Sequence, residues 1–159
     1  MEMPNPATTV RKKLADDWLM GFFQLVDAMD ADAASQAFAD DGTFRFGNAD
    51  PAVGREQVRD NISEFFAMIA ALDHRITGVW SGDWEQGEVK SVEAEVVYTR
   101  RDGSRTMPLP VTSTLRMRAG LIQDYRIFMD ISPLFAPRPE DPEPAGRRRP
   151  ATEPAGGAR

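Results

Sequence analysis

One histidine, His74, occurs among the 159 residues of this chain. Imidazole is the side chain whose ordinary pKa, about 6.5, lies nearest neutral pH, so acid–base chemistry would reach for it first. Periodicity puts His74 at the junction of a long helix and the next strand, which favours a helix-terminal or interface role over catalysis. Tyr98 is the first choice for a polar group facing a ligand. A buried phenol needs a partner and can donate to a ligand carbonyl, although a core Tyr bonded to backbone meets the same need. Asn48 falls where a strand becomes a loop; its amide can orient water or a ligand, or can stabilise the loop itself. Asp130 closes the last strand with the opposite parity to Ile127, where bonding into a turn at Ser132 is favoured over catalysis.

With no Cys and one His, the usual zinc, iron–sulfur and Cys–His arrangements are excluded, because they need several soft or imidazole ligands. A carboxylate-only Mg²⁺ or Ca²⁺ site has no recognisable loop, and no cofactor is expected. The net charge of −6 is uneven: residues 136–159 carry five Arg against four acids, so the acidity lies in residues 1–135. An acidic body disfavours nucleic acid. No apolar run approaches the roughly 20 residues of a membrane helix. Met1 to Thr9 lack the apolar core of a signal peptide, so the cytoplasm is the expected location.

The elements that must hold these groups follow from periodicity. Apolar residues recur every three to four positions from Val10 to Met29, predicting a long amphipathic helix with Trp18 and Phe22 on its buried stripe. Asp30 and Asp32 can cap a short helix over Ala33–Ala39, which Asp40-Asp41-Gly42 ends. A short strand at Thr43–Phe46 and a loop at Gly47–Gly54 lead to a helix from Arg55 to Leu72, about 27 Å long. Strands are expected near 74–83, 88–100, 105–118 and 121–131, with turns at Glu85-Gln-Gly87, Arg101-Asp-Gly103 and Ala119-Gly120.

Alternation along these strands puts Val92, Ala94, Val96 and Tyr98 on one face, continued by Leu109, Val111, Ser113 and Leu115 and then by Tyr125, Ile127 and Met129. That face, nearly all apolar with a few hydroxyls, reads as one wall of a small-molecule cavity, with Trp18 and Phe22 above it. Arg45, Arg100 and Arg126 are expected to point outward, into a subunit interface of Arg–Glu pairs with Glu93 and Glu95. Helices first and a meander after them indicate an α+β domain over 10–135, its curved antiparallel sheet covered by three N-terminal helices. Residues 1–9 are expected to be flexible, and 136–159 to be a disordered Pro/Arg-rich tail.

This order, with Phe38-Ala-Asp-Asp-Gly-Thr-Phe44, Pro51-x-x-Gly-Arg55, Asp102-Gly103, Leu109-Pro-Val111 and Gly120-Leu-Ile122, resembles the SnoaL-like branch of the nuclear transport factor 2-like superfamily. The resemblance covers 10–135. It implies a cone-shaped, cystatin-like α+β barrel, commonly a homodimer through the outer sheet face, in a group that includes polyketide cyclases, ketosteroid isomerases, limonene epoxide hydrolases and non-catalytic binding modules. Against the limonene epoxide hydrolases, Phe46 and Asn48 match a water-holding Tyr and Asn, Val96 and Tyr98 match an Arg-x-Asp, and Ile127 matches a second Asp. The family's catalytic carboxylates are therefore absent. Such a cavity suits a small hydrophobic, polyketide-, steroid- or terpenoid-like molecule, with Tyr98 and Asn48 fixing it and His74 as the reserve acid–base. Conversion by a cyclase, isomerase or hydrolase, and reversible binding by a non-catalytic or protein-interaction module, are both compatible with it.

Overall fold

A computed structural model describes residues 16–136 and the backbone of 11–13. The expected flexible start (1–9) and proline-rich tail (136–159) lie outside the described residues, Ala136 excepted. The first described element is not a long helix. Arg11–Lys13 form a short strand, β1, and the first helix, α1 (Asp17–Asp27), starts only where extended Asp16 accepts a hydrogen bond from the Leu19 N–H at 3.0 Å. An acidic cap followed by Asp17 in the first turn suits the positive end of the helix dipole. With this start the buried stripe is Leu19, Phe22 and Phe23, and Trp18 is turned out, 36% exposed. Asp30 caps α2 (Ala31–Gln36) through the Ala33 N–H.

Asp40-Asp41-Gly42 does not end an element, as the turn chemistry suggests, but lies inside strand β2 (Phe38–Phe46) as a bulge. Phe38 stands opposite Ile122 while Thr43 stands opposite Asp124. Gly42 is required there, since a Cβ would come within 2.8 Å of the Ile122 carbonyl oxygen. The loop after β2 contains β3 (Ala52–Val53), paired antiparallel with Thr43 and Phe44. Helix α3 (Arg55–Ala67) then ends five residues earlier than the apolar spacing predicts. Ile69 and Leu72 continue the apolar series but belong to β4 (Ile69–Trp84), where they are buried; pairing with the next strand wins over helical periodicity.

β5 (Gly87–Arg100), β6 (Leu109–Arg118) and β7 (Leu121–Phe128) complete the meander. β6 starts later than the expected 105, preceded only by a bridge between Thr99 and Arg105. The short helix α4 (Ser132–Phe135) follows. The sheet order is β1-β4-β5-β6-β7-β2-β3, antiparallel throughout except that β2 runs parallel to β7. The result is an α+β fold in which the three N-terminal helices cover one face of a curved sheet. Arg55 locks α3 to β2: its guanidinium donates twice to the Phe38 carbonyl and pairs with Asp40 at 2.8 Å.

The alternation along β5 and β6 matches the expected inner face, with Val92, Val96, Tyr98, Leu109, Ser113 and Leu115 all buried. Arg100 is a correction. It shares the parity of Tyr98, and its guanidinium donates to the carbonyls of Pro133 and Leu134, holding α4. The outward arginines also pair differently from expectation within the chain: Arg126 with Asp124, and Glu95 with Arg75. Arg45 donates to the Ala49 carbonyl. Among the described residues no helix is long and apolar enough to cross a membrane.

Candidate functional site

Between the helices and the inner face of the sheet lies a cavity of about 110 Å³. α1 contributes Phe22 and Val26, and β2 contributes Phe44 and Phe46 on alternate positions of one strand face. From α3 come Ile62, Phe65 and Phe66, with Asn61 exposed at the opening. β4 adds Leu72 and His74, β5 adds Tyr98, and β7 adds Tyr125 and Ile127. The rings fix one another. Tyr125 meets Phe22 at 5.8 Å and Phe44 at 5.4 Å between centroids, Phe65 stacks near Phe46 at 6.3 Å, and Tyr98 stands edge-on to Phe65 at 5.8 Å. Rigid planar side chains in such contacts hold a defined shape.

His74 belongs to this wall. Because α3 stops at Ala67, the imidazole stands not at that helix's end but inside β4, opposite Val96 on the inner face. Asp27, the last residue of α1, holds it twice: one carboxylate oxygen bonds Nδ1 at 2.6 Å and the other accepts the His74 main-chain N–H at 3.1 Å. Phe23 packs edge-on against the ring at 5.0 Å, and the imidazole is only 10% exposed. A carboxylate on Nδ1 requires a proton there, so in the neutral ring the lone pair is at Nε2. No hydrogen bond joins Nε2 to another described residue, and His74 lines the cavity.

Tyr98 is a diagonal neighbour of His74. Leu72 pairs with Tyr98 and His74 with Val96 on adjacent antiparallel strands, which puts the two residues about 7–8 Å apart, somewhat less at Cβ. Burial, reinforced by Tyr125, raises the Tyr98 phenol well above its ordinary value, so it remains a protonated donor. Its hydroxyl is directed at the Met129 sulfur, 3.6 Å away, a weak acceptor that a ligand carbonyl would outcompete. Tyr125 is pushed up to about 12 by burial, partly offset by its bond with Ser113 at 3.3 Å. The Ser113 and Tyr125 hydroxyls thus satisfy each other, and Tyr125 presents its ring to the cavity.

Of the residues singled out by sequence, Phe22, Phe46, His74, Tyr98, Tyr125 and Ile127 meet around the cavity. The others do not line it. Trp18 stacks on the far side of Phe22, 5.7 Å away, above the Lys90 ammonium. Asn48 is exposed in the turn after β2, and Val96, Val111 and Ser113 are buried behind the lining. Asp130 is exposed and accepts the Ser132 N–H at 2.9 Å; the Ser132 hydroxyl and N–H hold its carboxyl below the usual range.

Two functional features escaped sequence reasoning. Asp27 lies on the stripe Leu19–Phe23–Asp27, spaced by four, which a start at Asp16 would have disclosed. Lys90 has the inward parity of Val92 and pairs in the interior with Asp16, both side chains under a tenth exposed. Among the described residues no group of three or more His, Cys, Asp or Glu is placed to hold a metal ion.

A small α+β container with helices over a curved sheet and an apolar, ring-lined cavity is the architecture of NTF2-like, ketosteroid isomerase-like proteins. Residues 20–125 match the family model of the SnoaL-like domain, well over half of the chain. The chain belongs to that family. Among solved structures it is similar to a hypothetical protein of ketosteroid isomerase-like fold from Catenulispora acidiphila DSM 44928, in complex with trimethylamine (TM-score 0.64, 20% identity, covering 74% of this chain and 88% of that one). It is also similar to an LEH-like epoxide hydrolase from M. tuberculosis (0.59, 15%, 75% and 84%). A third is ActVI-ORFA from Streptomyces coelicolor (0.57, 17%, 72% and 96%). At these identities the likeness shows the fold. No curated protein matches the chain.

Proposed function

We propose that this protein binds a small, largely apolar carbonyl compound and moves a proton on it, as an isomerase or cyclase does. The observation that carries the reading is the Asp27–His74 pair, which ties up Nδ1 and leaves Nε2 without a described partner on a ring that lines the cavity. In the forward step Nε2 takes a proton from a carbon beside the carbonyl, and the imidazolium is stabilised by Asp27. The electron pair moves to the carbonyl oxygen, where the Tyr98 O–H, turned from Met129, donates to the developing negative charge. In a β,γ-unsaturated ketone the dienolate takes the proton back at its γ-carbon and the double bond moves into conjugation; where the enolate carbon instead attacks a second carbonyl, a ring closes and the new alkoxide takes the proton from Nε2.

The test is deuterium uptake beside the carbonyl of a simple ketone in D₂O. Wild-type protein is expected to speed it over buffer, His74→Gln to lose about 10²–10⁴-fold, and Tyr98→Phe about 10²-fold. Uptake equal to buffer for wild type sinks the reading. A reversible binding module is the second reading, favoured because Tyr98 and Ile127 match the positions where the limonene epoxide hydrolases carry acids; under it the ketone binds and exchanges no proton.

The proposal includes a homodimer through the outer sheet face, where Phe128 is 53% exposed beside the Arg126–Asp124 pair. Sedimentation velocity should show a dimer that Phe128→Glu dissociates. A wild-type monomer at micromolar concentration would refute it.

A further inference from the structure

We infer that the occupant is an uncharged molecule of one small ring bearing a carbonyl, and that fused-ring, anionic and cationic molecules are excluded. This rests on the reading above, in which Nε2 and the Tyr98 hydroxyl face the occupant. Size is the first argument. The cavity, about 110 Å³, is somewhat smaller than the ~150 Å³ apolar cavity that takes up benzene, so a second fused ring has no place. The walls cannot readily retreat. Val96, Leu115, Ile122 and Phe38, which form the layer behind the lining, are fully buried, and Phe38 is itself wedged against Phe44 and Tyr125 at 6.4 and 6.2 Å. Close-packed rings of this kind shift in discrete rearrangements, not by small yielding.

Charge is the second argument. The lining contains no Lys or Arg. The interior lysine, Lys90, is engaged by Asp16 and opens on a separate cleft with Trp18 and Met117. An anionic ligand would lose its hydration without gaining a cation, and would sit against the Asp27 charge behind His74. A cation meets ring faces, but the lining contains no Asp or Glu, so no carboxylate replaces the hydration it loses. Polarity is the third argument. One acceptor, Nε2, and one donor, the Tyr98 O–H once it turns from Met129, belong to lining residues that are diagonal neighbours on adjacent strands, about 7–8 Å apart. An acidic C–H and its neighbouring carbonyl oxygen on one ring can bridge them.

The single histidine makes the experiment direct, because the imidazole carbon and nitrogen signals of the full-length protein belong to His74 alone. Titrations would use cyclohexanone, 2-decalone, cyclohexanecarboxylate and tetramethylammonium. Cyclohexanone is expected to shift the His74 signals saturably, with an apparent Kd at least about tenfold below those of the other three. Phe65→Ala, which enlarges the cavity, should admit 2-decalone. The inference is overturned if cyclohexanone produces no saturable shift, or if 2-decalone, the carboxylate or the ammonium ion binds wild type as well as cyclohexanone does. The deuterium measurement separates the two readings. The expected binding order without exchange supports the size and charge selection and defeats His74 as base; exchange of 2-decalone but not cyclohexanone does the reverse.

Discussion

Lys90→Met should be among the most damaging single changes in this protein. The Lys90 and Asp16 side chains are 8% and 5% exposed and joined in an ion pair, with Glu88 3.8 Å from the same ammonium. Removing one partner of a buried pair leaves a desolvated charge and costs about 3–5 kcal/mol. Asp16 still accepts the Leu19 N–H and still sits at the positive end of α1, which places the expected loss near the lower end, about 3 kcal/mol. The double variant Asp16→Ser/Lys90→Met removes both charges, and Ser preserves the cap. It should therefore recover to within about 1 kcal/mol of wild type. Urea unfolding followed by tryptophan fluorescence measures both, and Trp18, whose ring lies 5.6 Å from the ammonium, reports on the site directly. A single variant within about 1 kcal/mol of wild type, or a double variant no better than the single, would refute the account of a charge pair whose worth lies in mutual compensation. The stakes extend to the cavity, because the pair anchors one end of α1 while Asp27, at the other end, holds His74.

The two tyrosines of the chain, Tyr98 and Tyr125, are both raised by burial. The stability their protonated forms contribute is fully present below the unfolded phenol value of about 10 and is lost as pH rises from there, through about 12 for Tyr125. Absorbance at 295 nm should accordingly show almost no phenolate in native protein near pH 10.5, with ionisation accompanying unfolding; ordinary titration of both phenols in the folded state would contradict their burial. Gly42→Ala should destabilise by about 1–3 kcal/mol, because the new Cβ meets the Ile122 and Ala39 carbonyl oxygens at 2.8 and 3.0 Å. A thermal melt unchanged from wild type would show that the bulge adjusts freely.

The inner face of the meander was legible because a strand has period two and one side is buried: Val92 to Tyr98 and Leu109 to Leu115 needed no tertiary information. The same rule, applied strictly, would have turned Arg100 and Lys90 inward. Charged residues are expected at the surface, yet here each has buried its stem and found carbonyls or a carboxylate. Boundaries were harder to read. Val10 to Met29 has helical spacing throughout, but the cap at Asp16 defines the start of α1, and Arg11–Lys13 pair with Val79–Ser81 of β4. Likewise Ile69 and Leu72 satisfy a helical stripe and a strand face equally well until β5 supplies hydrogen-bonding partners.

Composition and alternation were enough to exclude cysteine and multi-histidine metal centres and to place an apolar wall on one side of three strands, since each depends on residue type and local period; the resemblance to the SnoaL-like family was carried by the order of elements and by short motifs such as Pro51-x-x-Gly-Arg55 and Gly120-Leu-Ile122. The meeting of Asp27 with His74 across 47 positions, the exclusion of Trp18 and Asn48 from the cavity, and the inward pairing of Lys90 with Asp16 were decided only when α1 was set down on the sheet. Local periodicity says which side of an element is buried. Which two sides then face each other, and at what axial offset, depends on caps, bulges and strand register acting together, and a one-residue change in any of these puts a different side chain at the site.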